Sequence, residues 1–228
     1  MDTTKSNSKR YSHSYTQELN PMTEIRINKM IQMIDPCEKL LDIGCWDGYI
    51  MRQILKEKRA KYVVGVDNSK PAISLCRKKK LDARWVKTVD EKLPFPKNEF
   101  DAVLAGEVIE HLYDVNTFLK EIYRLLKPNG QFIITTPNLA SLGSRITILL
   151  GKIPWMIENE IEPPNSGHLR YFTFQALELL LEKHGFITNK KNVDVFNLGS
   201  RFYVASNLLT KTFLTKGRII IIQAIKRS

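Results

Sequence analysis

One stretch near the start of the chain limits the fold most, because it predicts a buried strand, a glycine turn and a new helix in direct succession. It is Leu40–Ile50, with the sequence LLDIGCWDGYI. The short apolar run before Asp42 is typical of a central parallel strand that helices cover on both faces. Gly44 and Gly48 allow the backbone to turn tightly and to approach a ligand closely. We therefore expect a helix over roughly 47–57 whose first amides point at a bound small molecule.

Strands and helices alternate along most of the remaining chain. The predicted strands after the first cover 62–67, 83–89, 100–106, 131–136, 186–195 and 218–225. The predicted helices cover 23–35, 69–80, 114–126, 139–150 and 173–184. Ser69, Asp114 and Thr173 stand where three of these helices begin, and their side chains are good N-caps. The alternation predicts an α/β domain with a mostly parallel sheet and right-handed crossovers.

Composition bounds the number of domains and the compartment. With 228 residues, 43% of them hydrophobic, the chain is long enough for one well-buried domain, expected over 21–228. Residues 1–20 are polar and predict a mobile arm or lid. No apolar run approaches the roughly 18 to 20 residues that cross a bilayer, and no signal-peptide core is present. We expect a soluble, cytoplasmic protein.

Its three cysteines lack CxxC spacing and suggest neither a zinc ribbon nor a disulfide framework.

The glycine pattern of the first turn discriminates between ligands. A dinucleotide fingerprint beginning at Gly44 needs glycine where the chain has Trp46 and Tyr49, so a dinucleotide is not expected. The chain also lacks the GxxxxGK[ST] sequence of a P-loop. It has acids instead, at Asp42 before the first glycine and at Asp67 after the second strand. An acid in the latter position can accept hydrogen bonds from ribose hydroxyls, although Asp67 could also cap the helix that follows it.

Five segments together resemble the class I, seven-stranded S-adenosylmethionine-dependent methyltransferases. They are LLDIGCWDG, VVGVD, LPFPKNEFDAVLAGEVIEHL, LKEIYRLLKPNGQFIITTPN and HLRYFTFQALELLLEKHGF. The resemblance extends from about Lys39 to Gly185. It implies a three-layer α/β sandwich, in which helices cover both faces of a mostly parallel seven-stranded sheet and the last strand is antiparallel. It also implies S-adenosylmethionine as the cofactor.

The resemblance further implies which residues bind that cofactor. Asp67 would hold the ribose hydroxyls, and the carbonyls of Ala105 and Gly106 would accept hydrogen bonds from the cofactor ammonium. The adenine amino group usually meets an acid near the end of the third strand. Asp90 is the nearest candidate but lies slightly out of register, so residues 88 and 89 are alternatives. The predicted set is Asp42, Gly44, Cys45, Gly48, Asp67, Asn68, Val89, Asp90, Ala105 and Gly106.

Trp46 departs from the family pattern, which generally has glycine at this position. Either the backbone has a negative φ there and tolerates a side chain, or the geometry of the cofactor turn is altered. We expect the indole to pack over the turn as part of the core.

The segment Glu107–His111 follows the fourth strand, where side chains reach the transferred methyl group. His111 and His168 are the candidate catalytic residues, with His111 as a general base if the acceptor must lose a proton. A divalent metal held by Glu107, Glu110, His111 and His168 is an alternative, not the expected arrangement. Relatives that methylate quinone-precursor phenols or small-RNA 3′ ends resemble this segment and use such a cluster. In a third interpretation the segment merely starts a helix.

The combined expectation is an S-adenosylmethionine-dependent methyltransferase that acts on an oxygen of a small molecule, such as a glycan, a lipid-linked sugar or a quinone-like compound. We assign 137–172 to the acceptor side, because it contains a long loop and such loops are often functional. The net charge of +11 favours polyanionic partners, so RNA 2′-O-methylation is the alternative. A non-catalytic, cofactor-binding or regulatory module of the same fold is a further alternative. The sequence does not indicate an oligomeric state.

Overall fold

The computed structural model describes residues 19–159, 166–197, 203–205 and 213–227. The strands are β1 (Cys37–Ile43), β2 (Ala60–Asp67), β3 (Asp82–Trp85), β4 (Phe100–Gly106), β5 (Leu126–Pro137), β6 (Phe186–Val193), β7 (Phe196–Asn197), β8 (Tyr203–Val204) and β9 (Ile219–Lys226). The α-helices are α1 (Pro21–Gln32), α2 (Tyr49–Lys56), α3 (Lys70–Lys78), α4 (Val115–Leu125), α5 (Leu142–Leu149) and α6 (Phe174–Lys183). Short 3₁₀ turns cover Ile109–His111 and Leu214–Lys216.

Seven of these strands form one sheet in the order β3-β2-β1-β4-β5-β9-β6. The pairs from β3 to β5 are parallel, and β9 runs antiparallel to both of its neighbours. The predicted mostly parallel, seven-stranded sheet with an antiparallel last strand is confirmed. Strand order reverses between β1 and β4, and ligands of open α/β sheets bind at the carboxyl ends of strands at such a reversal.

Helices cover both faces of the sheet and create two cores. Residues of β1 alternate between them: Leu41 and Ile43 belong to the core under α4 and α6, whereas Leu40 belongs to the core under α1, α2 and α3. This is why the two residues of β1 before Asp42 are both apolar, with no polar position between them. The predicted three-layer sandwich is therefore confirmed.

Side-chain caps fix where three helices begin, as predicted. The oxygens of Ser69, Asp114 and Thr173 each accept a hydrogen bond from the backbone amide three residues later, at 3.3, 2.9 and 3.2 Å. These bonds satisfy amides that have no partner within the helix itself. The caps place the first turns of α3 and α4 at the same edge of the sheet as the ends of β2 and β4.

Several predicted boundaries were wrong, including the following three. The third strand ends at Trp85 and does not continue to residue 89, because its partner β2 ends at Asp67, which is paired with Trp85. β5 begins at residue 126, five residues earlier than predicted, and pairs with β4 through an irregular register. The helix predicted from residue 139 begins only at Leu142, after the Ser141 cap.

Two expectations concern the ends of the chain and the membrane. The predicted arm over 1–20 lies outside the described residues except for its last two positions. Within the described ranges, no helix has the length and apolar character that a membrane crossing requires.

Candidate active site

The turn after β1 is built from left-handed backbone conformations. Gly44, Trp46 and Gly48 have φ values of +73°, +48° and +78°. The amides of Gly44 and Cys45 donate to the carbonyl of Val66 on β2, at 2.9 and 3.1 Å. The turn is therefore attached to the neighbouring strand, and α2 starts directly after it.

Trp46 has a left-handed backbone conformation, which residues other than glycine rarely adopt. Of the two alternatives, a negative φ is wrong, and a non-glycine residue here carries a local energetic cost. Hydrogen bonds fix its backbone on both sides: its amide donates to Oδ2 of Asp67 at 2.9 Å, and the Cys76 thiol donates to its carbonyl at 3.1 Å. The indole is only half-buried and is not a fully enclosed core residue.

Asp42 and Asp67 form a buried acidic pair beside this turn, with 2% and 7% exposure. Oδ2 of Asp42 has no hydrogen-bond partner among the described residues. Burial, reinforced by the charge of Asp67, raises the pKa of Asp42 well above its usual range. Asp67 accepts hydrogen bonds from the amides of Trp46 and Ser69, yet burial still raises its pKa. Since Ser69 caps α3, Asp67 is not the cap of that helix.

The predicted adenine side lies at the ends of β2 and β3. Asn68 is exposed, and its carbonyl accepts a hydrogen bond from the indole of Trp85 at 2.9 Å. Asp90 and Val89 are half-buried, and the Asp90 carboxylate bonds to the hydroxyl of Thr88. Sequence reasoning missed Trp85, which lies opposite Asp67 in the sheet and is 44% exposed. An aromatic residue at the exposed end of an edge strand was the available signal.

A buried arginine of α1 lies close to the end of β4. Ala105 is fully buried and Gly106 partly buried, and Glu107 follows with φ of +59°. Nη1 of Arg26, on α1, lies 3.7 Å from Oε1 of Glu107, which also accepts a hydrogen bond from Thr135. Arg26 is 8% exposed, and its Nη1 has no hydrogen-bond partner among the described residues. Sequence reasoning missed Arg26, although a cation on the apolar face of a helix signalled it.

Three of the four predicted metal-ligating residues come together. Glu110, His111 and His168 each place a potential ligand atom within 4.8 Å of the other two, while Glu107 is not in this group. Nδ1 of His111 lies 3.0 Å from the carbonyl of Gly167, and Nδ1 of His168 lies 2.8 Å from the carbonyl of Met156.

These histidine contacts fix the position of the ring proton. A carbonyl can only accept, so in the neutral rings Nδ1 carries the proton and Nε2 keeps its lone pair. Burial lowers the pKa of His111 and so favours the neutral ring. Glu110 is 1% exposed; its Oε2 accepts from Thr136, whereas Oε1 has no hydrogen-bond partner among the described residues. Burial, followed by the charge of Glu107, raises the pKa of Glu110.

Backbone hydrogen bonds bring His168 to this place. The carbonyl of Glu110 accepts from the amides of Leu169 and Arg170, at 2.7 and 3.0 Å. The other end of the segment is held by Phe172, whose carbonyl accepts from Leu139 at 2.8 Å. Arg170 donates to the carbonyl of Tyr113 at 2.8 Å, and both residues line a cavity of about 360 Å³. In the sequence these two residues are each two positions from a histidine of the group, His168 and His111.

Comparisons with known proteins agree with this geometry. Residues 41–134 match the family described as a methyltransferase domain. A probable S-adenosylmethionine-dependent methyltransferase of Mycolicibacterium smegmatis is 32% identical over 149 residues, which cover 64% of this chain and 51% of that protein. The ubiquinone biosynthesis O-methyltransferase of Bradyrhizobium diazoefficiens is 36% identical over 104 residues, or 44% of this chain and 40% of that enzyme. The chain thus spans about half the length, or less, of these curated relatives.

A solved structure shows the same fold. It is an S-adenosylmethionine-dependent methyltransferase of Thermotoga maritima, described as a possible histamine N-methyltransferase, with a TM-score of 0.64 and 19% identity over 90% of both chains. The matched domain contains the turn, Asp42 and Asp67, and the sheet order places them at the point where ligands of such folds bind. Residues 41–134 thus match a methyltransferase domain, and the chain has the fold of the S-adenosylmethionine-dependent methyltransferases, to which it is also similar in sequence.

Proposed function

We propose that this protein transfers the methyl group of S-adenosylmethionine to an oxygen atom of a small molecule. The observation that carries the proposal is the buried pair of Asp42 and Asp67 beside a left-handed glycine turn, at the strand-order reversal of a methyltransferase-family sheet. The ubiquinone O-methyltransferase among its relatives supports oxygen as the acceptor atom. In this reaction the acceptor oxygen attacks the methyl carbon, the bond from that carbon to sulfur breaks, and S-adenosylhomocysteine leaves.

Four groups around the turn would hold the cofactor. Asp67 would accept hydrogen bonds from the ribose hydroxyls, and the carbonyls at the end of β4 would accept from the ammonium group. Arg26 would bind the cofactor carboxylate, because its buried Nη1 lacks a hydrogen-bond partner among the described residues and has only a carboxylate at 3.7 Å nearby. The half-buried indole of Trp46 covers the turn. The remaining predicted contacts are Asp42, Gly44, Cys45, Gly48, Asn68, Val89 and Asp90.

Arg26 can be tested separately from folding. Replacement of Arg26 by Met keeps much of the buried volume but removes the charge. We expect a higher KM for S-adenosylmethionine with little change in KM for the acceptor. S-adenosyl compounds that lack the carboxylate should bind the wild type and the variant alike. Equal loss of affinity for both kinds of ligand would contradict a carboxylate contact.

The group formed by Glu110, His111 and His168 could help the acceptor hydroxyl lose its proton in two alternative ways, as a general base or as the ligands of a cation. Nε2 of His111 has the free lone pair that a general base needs. The rings of His111 and His168 also suit a divalent cation, together with Oε1 of Glu110, which has no hydrogen-bond partner among the described residues. Oxygen and imidazole are the usual ligands of such a cation. Bound there, such a cation would lower the pKa of the acceptor hydroxyl. We propose a divalent cation at this group, and because the two rings and the carboxylate would then bind the ion, the acceptor hydroxyl would release its proton to solvent.

Metal analysis distinguishes a cation site from a general base. Protein purified without chelator and supplied with Mg²⁺, Mn²⁺ or Zn²⁺ should retain a divalent ion, and His168→Ala should lose it. His184→Ala is the matched control, because its ring also contacts a backbone carbonyl, at 2.9 Å, but lies at the end of α6. If no ion is retained and chelation leaves methyl transfer unchanged, His111 acts as the base without a metal.

Labelled methyl transfer tests the acceptor class. Fractions of cell extract are incubated with the protein and methyl-labelled S-adenosylmethionine, with and without prior nuclease treatment. We expect nuclease-resistant label of low molecular mass, whereas nuclease-sensitive label would identify RNA as the acceptor. Absence of label in every fraction, despite cofactor binding, would support a non-catalytic module. We place the reaction in the cytoplasm and the acceptor-binding segment at 137–172.

A further inference from the structure

Helix α5 and the residues after it have an inverted distribution of side chains. The helix buries its small residues Gly143 and Ser144, and a Cβ on Gly143 would lie 2.9 Å from backbone and side-chain atoms of Asn197. Large apolar residues face outward instead. We call these the apolar ridge: Ile148, Leu149, Leu150, Ile153 and Trp155. Leu149 and Leu150 are 85% and 68% exposed, so most of the surface of each residue is in water.

Such a ridge is costly in water and is typical of a binding surface. Single exposed apolar residues are common, but here five lie within eight positions of the chain. Tryptophan with leucine and isoleucine, on a short helix and its extension, is the composition of segments that lie in the interface of a bilayer.

Charge indicates which surface the ridge fits. Arg145 and Lys152 lie within the same stretch, and both are exposed. The sequence has no Asp or Glu between Glu121 and Glu158, so no carboxylate of that stretch opposes the two cations. Basic residues beside an apolar insertion complement the anionic headgroups of a lipid leaflet.

We propose that the apolar ridge docks on the surface of a bilayer that contains anionic lipids. The five apolar side chains enter the boundary between headgroups and acyl chains, while Arg145 and Lys152 contact lipid phosphates. The protein then lies on the membrane and does not span it. This docking does not depend on the proposed methyl transfer.

The ridge is continuous with the candidate active site. The ring of Trp155 meets the ring of His168 edge-on, with 6.3 Å between centroids, and the His168 ring lies 5.0 Å from that of His111. A docked protein would therefore present its catalytic histidines close to the lipid surface. If the proposed function holds, amphiphilic acceptors could be methylated while their apolar part stays in the bilayer.

Vesicle sedimentation tests the docking. The full chain is mixed with vesicles of phosphatidylcholine alone or of phosphatidylcholine with phosphatidylglycerol, and the bound fraction is measured at low and high salt. We expect binding to the anionic vesicles that weakens with salt. The double substitution Leu149→Ser and Leu150→Ser should lower the partition coefficient by about tenfold or more, since two exposed leucines would no longer enter the lipid.

Two controls keep the result interpretable. Leu179→Ser makes the same chemical change at a site on α6 that is 59% exposed, and it should leave vesicle binding unchanged. Thermal unfolding and S-adenosylmethionine binding confirm that each variant is folded. The proposal is overturned if the wild type ignores anionic vesicles or if the double variant binds them equally well. It is also overturned if light scattering shows a dimer that the double variant converts to monomers, because the ridge would then join two copies of the chain.

Discussion

Replacement of Gly65 by Ala tests whether close packing against β2 holds the turn after β1 in place. Gly65 lies on β2 in ordinary extended backbone, so no conformational rule requires glycine there. Space requires it: an added Cβ would lie 2.6 Å from Sγ and 2.8 Å from Cβ of Cys45, and 2.7 Å from Sδ of Met51. Cys45 is part of the turn and Met51 belongs to α2, so the new methyl group pushes against both.

The expected magnitude follows from these distances. Overpacking of a well-filled core costs about 1 to 3 kcal/mol. All three contacts are shorter than 3.0 Å, and one of them involves the Cβ of Cys45, which cannot rotate away. We therefore expect a loss near the upper end of that range. The turn should also shift, which would weaken the proposed S-adenosylmethionine binding because the amide of Trp46 holds the Asp67 carboxylate in place.

Urea unfolding and calorimetric titration together provide the assay. Gly151→Ala is the matched control: its φ is +67°, but nothing lies within 4 Å of the new Cβ, so it should cost about 1 kcal/mol in strain and leave cofactor affinity unchanged. Adding Cys45→Ala to Gly65→Ala removes the closest atom and should restore part of the lost stability. If Gly65→Ala leaves both stability and cofactor affinity at wild-type levels, the turn is not supported in this way.

Three further predictions concern polar groups, two of them buried and the third a helix cap. Asp42→Asn removes a carboxyl whose pKa is raised by burial. The contribution of that carboxyl to folding stability is therefore present below an unfolded pKa of about 3.9 and is lost as pH rises. Above that pH the ligand-free variant should be more stable than the wild type, so the difference between their melting temperatures should be larger in thermal scans at pH 8 than at pH 4. Arg218→Ala leaves the fully buried Asp194 without its ion pair of 2.6 Å and should cost about 3 to 5 kcal/mol in urea unfolding. Thr173→Ala removes the α6 cap and should cost about 1 kcal/mol by the same assay, an effect that Thr173→Ser should largely avoid.

Local signals made much of the fold predictable. The strand at 100–106 has the predicted boundaries, and the caps at Ser69, Asp114 and Thr173 lie where their residue types suggested. Apolar runs and caps depend on neighbours in sequence, so a single chain can reveal them. The proximity of Asp67 to the first turn was also predictable, because adjacent parallel strands end at the same edge of the sheet.

Features that depend on distant contacts were less accessible. The conformation of Trp46 follows from hydrogen bonds to Asp67 and Cys76, and nothing in the local sequence requires a left-handed tryptophan. The separation of Glu107 from the histidine group arises because its own backbone is left-handed and its side chain turns to Thr135. The α-helical spacing that suggested one shared face for Glu107, Glu110 and His111 does not apply, because only a 3₁₀ turn, Ile109–His111, follows Glu107.

Calorimetric titration with S-adenosylmethionine and S-adenosylhomocysteine tests the central claim most directly. The account predicts that the wild type binds both, and that Asp67→Ala weakens binding by about 1.5 to 3 kcal/mol, because a charged acceptor of ribose hydroxyls is lost. Asp82→Ala, which removes a carboxylate that is 58% exposed on β3, should bind as the wild type does. Failure of the wild type to bind either compound, or unchanged affinity in a folded Asp67→Ala variant, would contradict a cofactor site at this turn.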